Sequence, residues 1–599
     1  MNEISLDRPL VVFDGKCGFC RLWIDYWRQL TRDRAIYLPF QELHEKYPNA
    51  PREDYASAVY LILPSGEIFF AAHAVYELLA DCCDKKWPLN AYSKVPFFAA
   101  GSELGYRIIA RHRDLGHWIT RIFWGIPVQL ESFNLATWLF QRCLGAIYLI
   151  AFLSFGLQAA GLIGSRGILP VAEFLRAVRQ AYGGAVYWNL PTLLWLGAGD
   201  WAIKALWMTG VILSGLLFLG LRGRMMPILL FVLYLSLTVA GQEFMGYQWD
   251  ALLLEAGFLT IFSGSGPLVL WLYRWLLFRL MFSSGVVKLA SGDLPWRHFT
   301  ALPVHYQTQP LPTPLAWYMY QLPGWFQRFS VGFVFFIEIA VPFLVFAPRR
   351  LRRYGAWALI LLQALIFLTG NYAFFNLLTL ALCLFLFDDK SLGRALPKSI
   401  AEGIHKRAHI LGASKSVRTL CKVFAVLAIF VGGFEVLGIF GLRWTPASYA
   451  MSAVAPFELI NSYGLFAVMT TTRPEIIVEG SNDGTNWLPY EFKYKPGALD
   501  RRPQYVAPYQ PRLDWQMWFA ALGDYQSDPW IVRFMGRLLE GSPDVLSLLK
   551  TNPFPGAPPR HVHALLYEYR FTTPEERRGT GDWWRRELRG TYLPEISLK

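Results

Sequence analysis

The sequence predicts a three-part membrane protein: an N-terminal α/β domain, a polytopic all-α core of about nine transmembrane helices, and a C-terminal α+β domain outside the membrane. Three observations predict it. Of 599 residues, 54% are apolar and only 17% charged, against roughly 45–50% and about 25% in ordinary soluble chains; mean hydropathy is +0.29. Such an excess cannot all be buried in soluble cores, so much of it faces lipid. The long apolar runs gather between Ala136 and Phe440, and both flanks are polar, with strand and turn patterns. Basic residues also concentrate on alternate loops of the apolar region. The composition excludes disorder and collagen, and 7 Cys are too few for a small disulfide scaffold.

The opening residues Met1–Pro9 are short and polar, without the pattern of a secretory signal. Leu10–Phe13 reads as a buried strand, followed by an Asp-Gly turn and a helix from Gly18 to Leu30. A second strand, Ala58–Leu63, turns at Pro64-Ser65-Gly66 into a partner, Glu67–Phe70, and a helix from Ala74 to Ala80 follows. Apolar spans then read as Ala136–Ile163, Ala205–Leu221, Met226–Ala240, Ala251–Phe262, Leu268–Lys288, Phe329–Phe346, Ala356–Thr369, Tyr372–Phe387 and Val423–Phe440. Several fall short of the roughly 17–25 residues a spanning helix needs, and Ala251–Phe262 reads equally as a half-helix.

Cytoplasmic loops should be rich in Lys and Arg. With the N-terminus inside, Arg222/Arg224, the Arg349–Arg353 cluster and Asp388–Lys422 are cytoplasmic, with two, four and eight basic residues. The outer segments Gly164–Trp201, Gly241–Asp250, Leu289–Ser330 and Gly370–Asn371 hold only five between them. The net charge of +13 is therefore read as membrane orientation and not as nucleic-acid binding. Everything after Phe440 falls outside. There Glu475–Lys495 alternates as a hairpin around Ser481-Asn482-Asp483-Gly484, Leu513–Leu522, Trp530–Leu539 and Pro543–Leu549 have helical periodicity, and Leu565–Phe571 returns to a strand.

The sharpest local motif is Asp14-Gly15-Lys16-Cys17-Gly18-Phe19-Cys20, a C-x-x-C where a strand meets a helix. Cys17 at a helix start gains a thiolate-favouring field, and Cys20 one turn later can resolve a mixed disulfide. A zinc half-site is the alternative, but no second spaced pair follows, since Cys82 and Cys83 are adjacent. Two packed thiols without chemistry form the other alternative. Residues 11–113 resemble the DCC family of thiol-disulfide oxidoreductases, thioredoxin-like domains with the signature D-x-x-C-x-x-C, here Asp14, Cys17 and Cys20. Tyr106–Arg111 is similar to that family's closing helix. The resemblance implies Cys17 as attacking thiol, Cys20 as resolving thiol and Asp14 as a tuning or proton-transfer group. A counterpart of the Val-Pro pair that faces the cysteines in thioredoxins is missing.

Ionisable groups inside apolar spans are costly and turned inward, so each is a candidate site. Gly241–Asp250 carries Glu243 and Asp250, and Glu255 follows. Arg274, Arg279 and Lys288 lie along one run; Arg274 and Arg279 either snorkel or pair with Glu255, and Lys288 reads as an interfacial lysine. Beyond these residues, the chain from Gly161 onward resembles the lipase maturation factor family. The resemblance is carried by Gly161–Pro170, Gln248-Trp249-Asp250, Arg274–Phe282, His305–Pro312, Leu368–Tyr372, Phe374-Phe375-Asn376, Asn461–Phe466, Tyr490–Lys493, Arg512–Ala520 and Asn552-Pro553-Phe554. Animal members of that family are endoplasmic-reticulum membrane proteins needed for folding and assembly of secreted dimeric lipases. The resemblance implies a maturation factor acting on the extracytoplasmic side.

A second reading starts at Gly285-Val286-Val287-Lys288-Leu289 with Trp296, which resembles a motif of the vitamin K-dependent carboxylase-like superfamily. It implies a membrane enzyme with Lys288 as base, and His305 and Asp293 as proton-handling neighbours. A cavity lined by Lys288, Glu243 and Asp250 would favour it. The sequence thus predicts domains at 1–121 (DCC, thioredoxin-like), 122–468 (transmembrane core) and 469–599 (extracytoplasmic). The first is cytoplasmic, the last periplasmic, and the membrane is the bacterial inner membrane. Expected partners are the lipid bilayer, exported clients such as lipases and a cytoplasmic thiol reductant, with no nucleic acid, cofactor or metal. Membrane-site candidates are Lys288, Glu243, Asp250, Glu255, Arg279 and His305. The region after residue 468 contains no Cys, so direct disulfide transfer to exported clients would need a relay.

Overall fold

A computed structural model describes residues 6–221, 225–399, 402–404 and 413–598. The chain divides into two compact units, Met1–Ser132 with Phe346–Tyr354, and Phe133–Val345 with Gly355–Lys599.

In the first unit, strand β1 (Leu10–Phe13) is apolar at every position because both faces of its sheet are covered. Val11 and Phe13 face Ile24, Leu78 and Cys82 on one side, and Leu10 and Val12 face Leu38, Leu43 and Ile62 on the other. The sheet order is β2 (Ile36–Pro39), β1, β3 (Tyr60–Ile62), β4 (Ile68–Phe70), with β1 parallel to β2 and antiparallel to β3. The predicted strand, helix and hairpin are present, at Leu10–Phe13, Gly18–Thr31 and Tyr60–Phe70. Strand β2 was not expected: four residues behind an Arg-rich turn show no usable period. Helices Ala71–Cys83, Trp87–Lys94, Phe98–Arg111 and Arg113–Phe123 follow.

From Phe133 onward, each of the nine apolar runs coincides with helical backbone, but among the described residues only five helices are long and apolar enough to cross a membrane: Asn134–Gly156, Asp200–Leu219, Gly324–Phe346, Arg349–Thr369 and Lys415–Ile439. The expected count of nine is therefore not reproduced. Helix Met225–Ala240 is short, and helix Gln248–Thr260, 13 residues, would reach about 20 Å against a hydrocarbon core of about 30 Å. Ten of its residues are buried, so it packs inside protein instead of against lipid. Helix Pro267–Ala290 has the length but carries Arg274, Arg279 and Lys288, all buried. The Asn134–Gly156 and Asp200–Leu219 pair packs backbone to backbone: a Cβ on Gly145 would come within 2.6 Å of the Phe218 amide nitrogen, the close approach small residues permit between spans. At the start of Asn134–Gly156, the Asp389 carboxylate accepts the N–H groups of Asn134 and Leu135 at 3.0 and 2.8 Å, a side-chain substitute for missing helix partners. Arg222, Arg224 and residues 400–401 and 405–412 of the expected inner loop 388–422 lie outside the described residues.

After the last span, the sheet order is β10 (Trp584–Ile596), β9 (His561–Phe571), β5 (Pro474–Ser481), β6 (Leu488–Pro489), all antiparallel. The expected hairpin turns at Asp483, whose carboxylate accepts the Thr485 and Asn486 N–H groups at 2.9 and 2.8 Å; these bonds hold it below the usual carboxylate range. Its return arm is broken, because β7 (Glu491–Phe492) leaves to pair with β8 (Leu549–Thr551) in a second small sheet. That pairing corrects the helix expected over Pro543–Leu549, which ends at Leu546. Strand β10 escaped the sequence reading, since five successive exposed residues within it hide its alternation.

Candidate functional site

The dithiol sits where the apolar run of β1 stops at Phe13. Asp14 shapes the turn, its Oδ1 accepting the Lys16 N–H at 3.0 Å and the Gln41 amide at 2.9 Å, and its Oδ2 pairing with Arg113 at 3.1 Å. A Cβ on Gly15 would come within 2.8 Å of Pro39, so glycine is what lets the turn lie against β2. Cys17 is the N-cap of helix Gly18–Thr31, and its Sγ accepts the Cys20 N–H at 3.2 Å. The sulfur thus occupies the place a Ser or Asp oxygen takes at other helix starts. Both thiols are half-buried and unbridged. Burial first, then the neighbouring Cys17, pushes the Cys20 thiol up to about 12. Arg113 also donates to Ala56 O at 2.6 Å and Ala110 O at 3.1 Å, so its guanidinium is fixed beside Asp14. Neither Arg113 nor Gln41 was singled out from sequence; both lie far along the chain from the motif. Beside the pair opens a cavity of about 340 Å³ walled mostly by aromatic and aliphatic side chains, with Cys20, Asp14 and Arg113 at its polar end.

The membrane-site candidates do not form one site. Asp250 is fully enclosed, paired with Arg512 at 3.0 Å and accepting the Tyr234 hydroxyl at 2.5 Å. Glu255 pairs with Arg279 and accepts the Tyr463 hydroxyl at 2.8 Å and the Asn461 N–H at 3.0 Å. Arg279 reaches Glu435 as well, at 3.4 Å, so the buried arginine is paired and does not snorkel. Arg274 gives Nε and Nη2 to the Phe385 carbonyl, both at 3.1 Å. Lys288 is 5% exposed, and its ammonium meets Glu338 at 2.6 Å. Glu338 lies on a turn of π-helix, Phe336–Ala340. Its partnership could have been suspected, because it is an isolated acid in a long apolar run. His305 bonds Tyr372 at 2.6 Å, and burial together with the Lys288 charge pulls it down to about 4. Glu243 is exposed and contributes its backbone oxygen to Gln516. Each buried charge has its own partner, as the cost of an unpaired one requires. Among the described residues, no group of three or more His, Cys, Asp and Glu could hold a metal.

Arg512 and Arg473 come from beyond the last span, yet both bury their guanidinium groups on the membrane core. Arg512 also donates to Phe244 O at 2.7 Å, and Arg473 to the carbonyls of Gln307 and Pro310 at 2.7 and 2.9 Å. Asn371 accepts the N–H groups of Val506 and Ala507 at 2.7 and 2.9 Å, and Arg166 pairs with Asp544 at 3.1 Å.

Three family models match successive stretches of the chain. The model of the lipase maturation factor transmembrane domain matches residues 135–394, and that of the lipase maturation factor C-terminal domain matches residues 459–594. A DCC1-like thiol-disulfide oxidoreductase model matches residues 11–117. Lipase maturation factor 2 of Gallus gallus is 38% identical, over 77% of this chain and 81% of its own length. The Homo sapiens protein of that name is 37% identical over 77% and 82%, and lipase maturation factor 1 of Bos taurus 35% over 79% and 91%. No solved structure matches the chain. Extending through the membrane core and the region beyond it, this similarity makes the chain a member of the lipase maturation factor family, carrying an additional DCC1-like domain at its N-terminal end.

Proposed function

We propose that the protein is a multi-pass membrane maturation factor that assists folding or assembly of exported proteins, lipases among them, and that the Cys17/Cys20 dithiol couples this work to thiol-disulfide exchange. The family membership supports the first part. The observation that carries the second is the Cys17 sulfur at a helix start, 3.2 Å from the Cys20 N–H, with the Asp14–Arg113 pair fixed beside it. In this reading Cys17 attacks a partner disulfide, Cys20 resolves the mixed disulfide, and Asp14 acts through Arg113 on the charge that develops.

Division at 1–121, 122–468 and 469–599 follows the same reading, with a cytoplasmic first domain and a periplasmic last one across the bacterial inner membrane. The distribution of Lys and Arg supports it. So does the packing of residues 473–544 on Arg166, Phe244, Gln307 and Asn371, all in segments that the charge rule assigns to the outer side. The dithiol then exchanges with a cytoplasmic thiol reductant and reaches exported clients only through a relay. The enzyme reading based on Lys288 is the weaker one: its ammonium is held by Glu338, and Glu243 and Asp250 are engaged elsewhere.

Trapping with Cys20→Ser tests the dithiol role. Proteins held in disulfide linkage to Cys17 are expected, and none should be recovered from Cys17→Ser/Cys20→Ser; an empty Cys20→Ser trap in cells with active export refutes the redox coupling. A cysteine introduced at Gly484 should react with a membrane-impermeant maleimide from the periplasmic side. Labelling from the cytoplasmic side only would reverse the topology.

A further inference from the structure

The cavity beside the dithiol has features that thiol exchange between proteins does not use. It is lined by Cys20, while a protein disulfide would be attacked by Cys17. At about 340 Å³ it lies within the roughly 300–1,000 Å³ range of small-molecule sites. Phe19, Trp23, Trp27 and Trp124 supply flat walls suited to stacking on a planar ring. The Arg113 guanidinium, fixed by Asp14 and by backbone carbonyls, is a hydrogen-bond donor at the polar end. Ile109 and Ile119 both line the cavity and stay 47% and 37% exposed, so its mouth is apolar too. Leu115 and Trp118 on the same helix as Ile119 are exposed as well, an unusual amount of apolar surface for a water-facing helix. Only ten residues separate the end of that helix, Phe123, from Asn134, where the first span begins.

We propose that this cavity binds the ring of a lipid-soluble quinone, which exchanges two electrons with the Cys17/Cys20 dithiol. In the oxidising direction the two S–H bonds break and a Cys17–Cys20 disulfide forms. The two electrons and two protons pass to the carbonyl oxygens of the quinone, which leaves as the hydroquinone. Arg113 donates to the carbonyl oxygen nearest the sulfurs. This proposal rests on the redox-active dithiol of the preceding section and adds a second substrate to it, and it places the electron acceptor in the membrane phase instead of in solution.

The test uses the full-length protein in nanodiscs and decylubiquinone as probe. Calorimetry on the oxidised protein should give saturable one-site binding. Anaerobic mixing of decylubiquinone with the reduced protein should bleach the quinone absorbance, one quinone per dithiol. Ala110→Phe and Thr120→Phe fill the cavity from two sides and should each weaken binding by about tenfold or more, with the thermal transition of each variant confirming that it folds. Cys17→Ser and Cys20→Ser should bind but not reduce the probe. Absence of saturable binding to folded wild type, binding unchanged in both filled variants, or quinone reduction persisting in Cys20→Ser would each overturn the proposal. A parallel titration of wild type against dithiothreitol buffers keeps the two ideas apart. A dithiol that titrates without quinone binding sinks only the quinone site, while a dithiol that never titrates sinks the redox reading and the electron transfer with it.

Discussion

Replacing Arg512 by Met should be among the most damaging single changes in the protein. The Arg512 guanidinium is fully buried and makes three hydrogen bonds of 2.7–3.0 Å, two to the Asp250 carboxylate and one to Phe244 O. Methionine keeps most of the apolar volume but, among the described residues, leaves the 1%-exposed Asp250 with only the Tyr234 hydroxyl as hydrogen-bond partner. Removing one member of a buried pair costs about 3–5 kcal/mol, because the other charge stays desolvated. At about 1.4 kcal/mol per decade, this lowers the folding equilibrium constant by two to four powers of ten. Asp250→Asn should be comparably harmful through the stranded arginine. The double variant Arg512→Met/Asp250→Asn removes both charges and keeps a neutral acceptor for Tyr234, so it should recover about 2–3 kcal/mol relative to additivity. Reversible unfolding by sodium dodecyl sulfate in dodecyl maltoside micelles, followed by helical circular dichroism, measures all four proteins. Single variants within about 1 kcal/mol of wild type, or strict additivity in the double, would refute the idea that this pair clamps the C-terminal region to the membrane core.

Three further outcomes are expected. Brief alkylation with iodoacetamide at pH 7.5 should modify Cys17 well before Cys20, whose thiol burial holds up at about 12; peptide mass spectrometry showing Cys20 modified first would contradict the assigned roles. His305 is held neutral down to about pH 4, so as pH falls below about 6.5 the unfolded chain binds a proton that the folded one refuses. The His305 contribution to stability is therefore fully present above about 6.5 and is lost progressively toward about 4; His305→Gln should show a flatter pH dependence of the thermal midpoint across that interval. Gly145→Val should separate helices Asn134–Gly156 and Asp200–Leu219, at about 1–3 kcal/mol, since any Cβ there meets the Phe218 backbone; an unchanged unfolding midpoint would count against this packing.

What was legible in the sequence follows from how local each determinant is. The run Leu10–Phe13 and the C-x-x-C next to it could be read because strand, turn and helix start all lie within about ten consecutive residues. The surroundings of the site could not: Arg113 reaches Asp14 from 99 positions away and Gln41 from 27, and no local pattern encodes such pairings. The ionisable residues of the apolar region were recognisable individually by their cost in lipid, but their grouping was not. The charge rule groups Lys288, Glu243 and Asp250 at or near the outer face, whereas Lys288 pairs with Glu338 and Asp250 pairs 262 positions away with Arg512. The expected count of nine spans is not reproduced for a related reason. Hydropathy registers apolarity and not its destination, so a helix buried inside protein, such as Gln248–Thr260, scores like one that faces lipid.

These long-range pairings bear on how the family's membrane core could work. Arg473 and Arg512 insert guanidinium groups among backbone carbonyls and carboxylates contributed by residues 244–250 and 307–310. Asn371 receives the chain at Val506 and Ala507. A buried ion pair contributes little net stability against replacement of both partners by apolar residues, but it fixes geometry strictly, since each arginine is satisfied in only one register. The region beyond the last span is thus held in a defined position on the core and does not hang from a flexible linker. A rigid platform of this kind can present one surface to a folding client without spending binding energy on ordering itself. If that is its use, Arg473→Met and Arg512→Met should impair client maturation even under conditions where the protein remains folded and in the membrane. Secreted lipase activity, normalised to the amount of folded maturation factor, reads this out; normal activity in folded variants would separate the platform from the function.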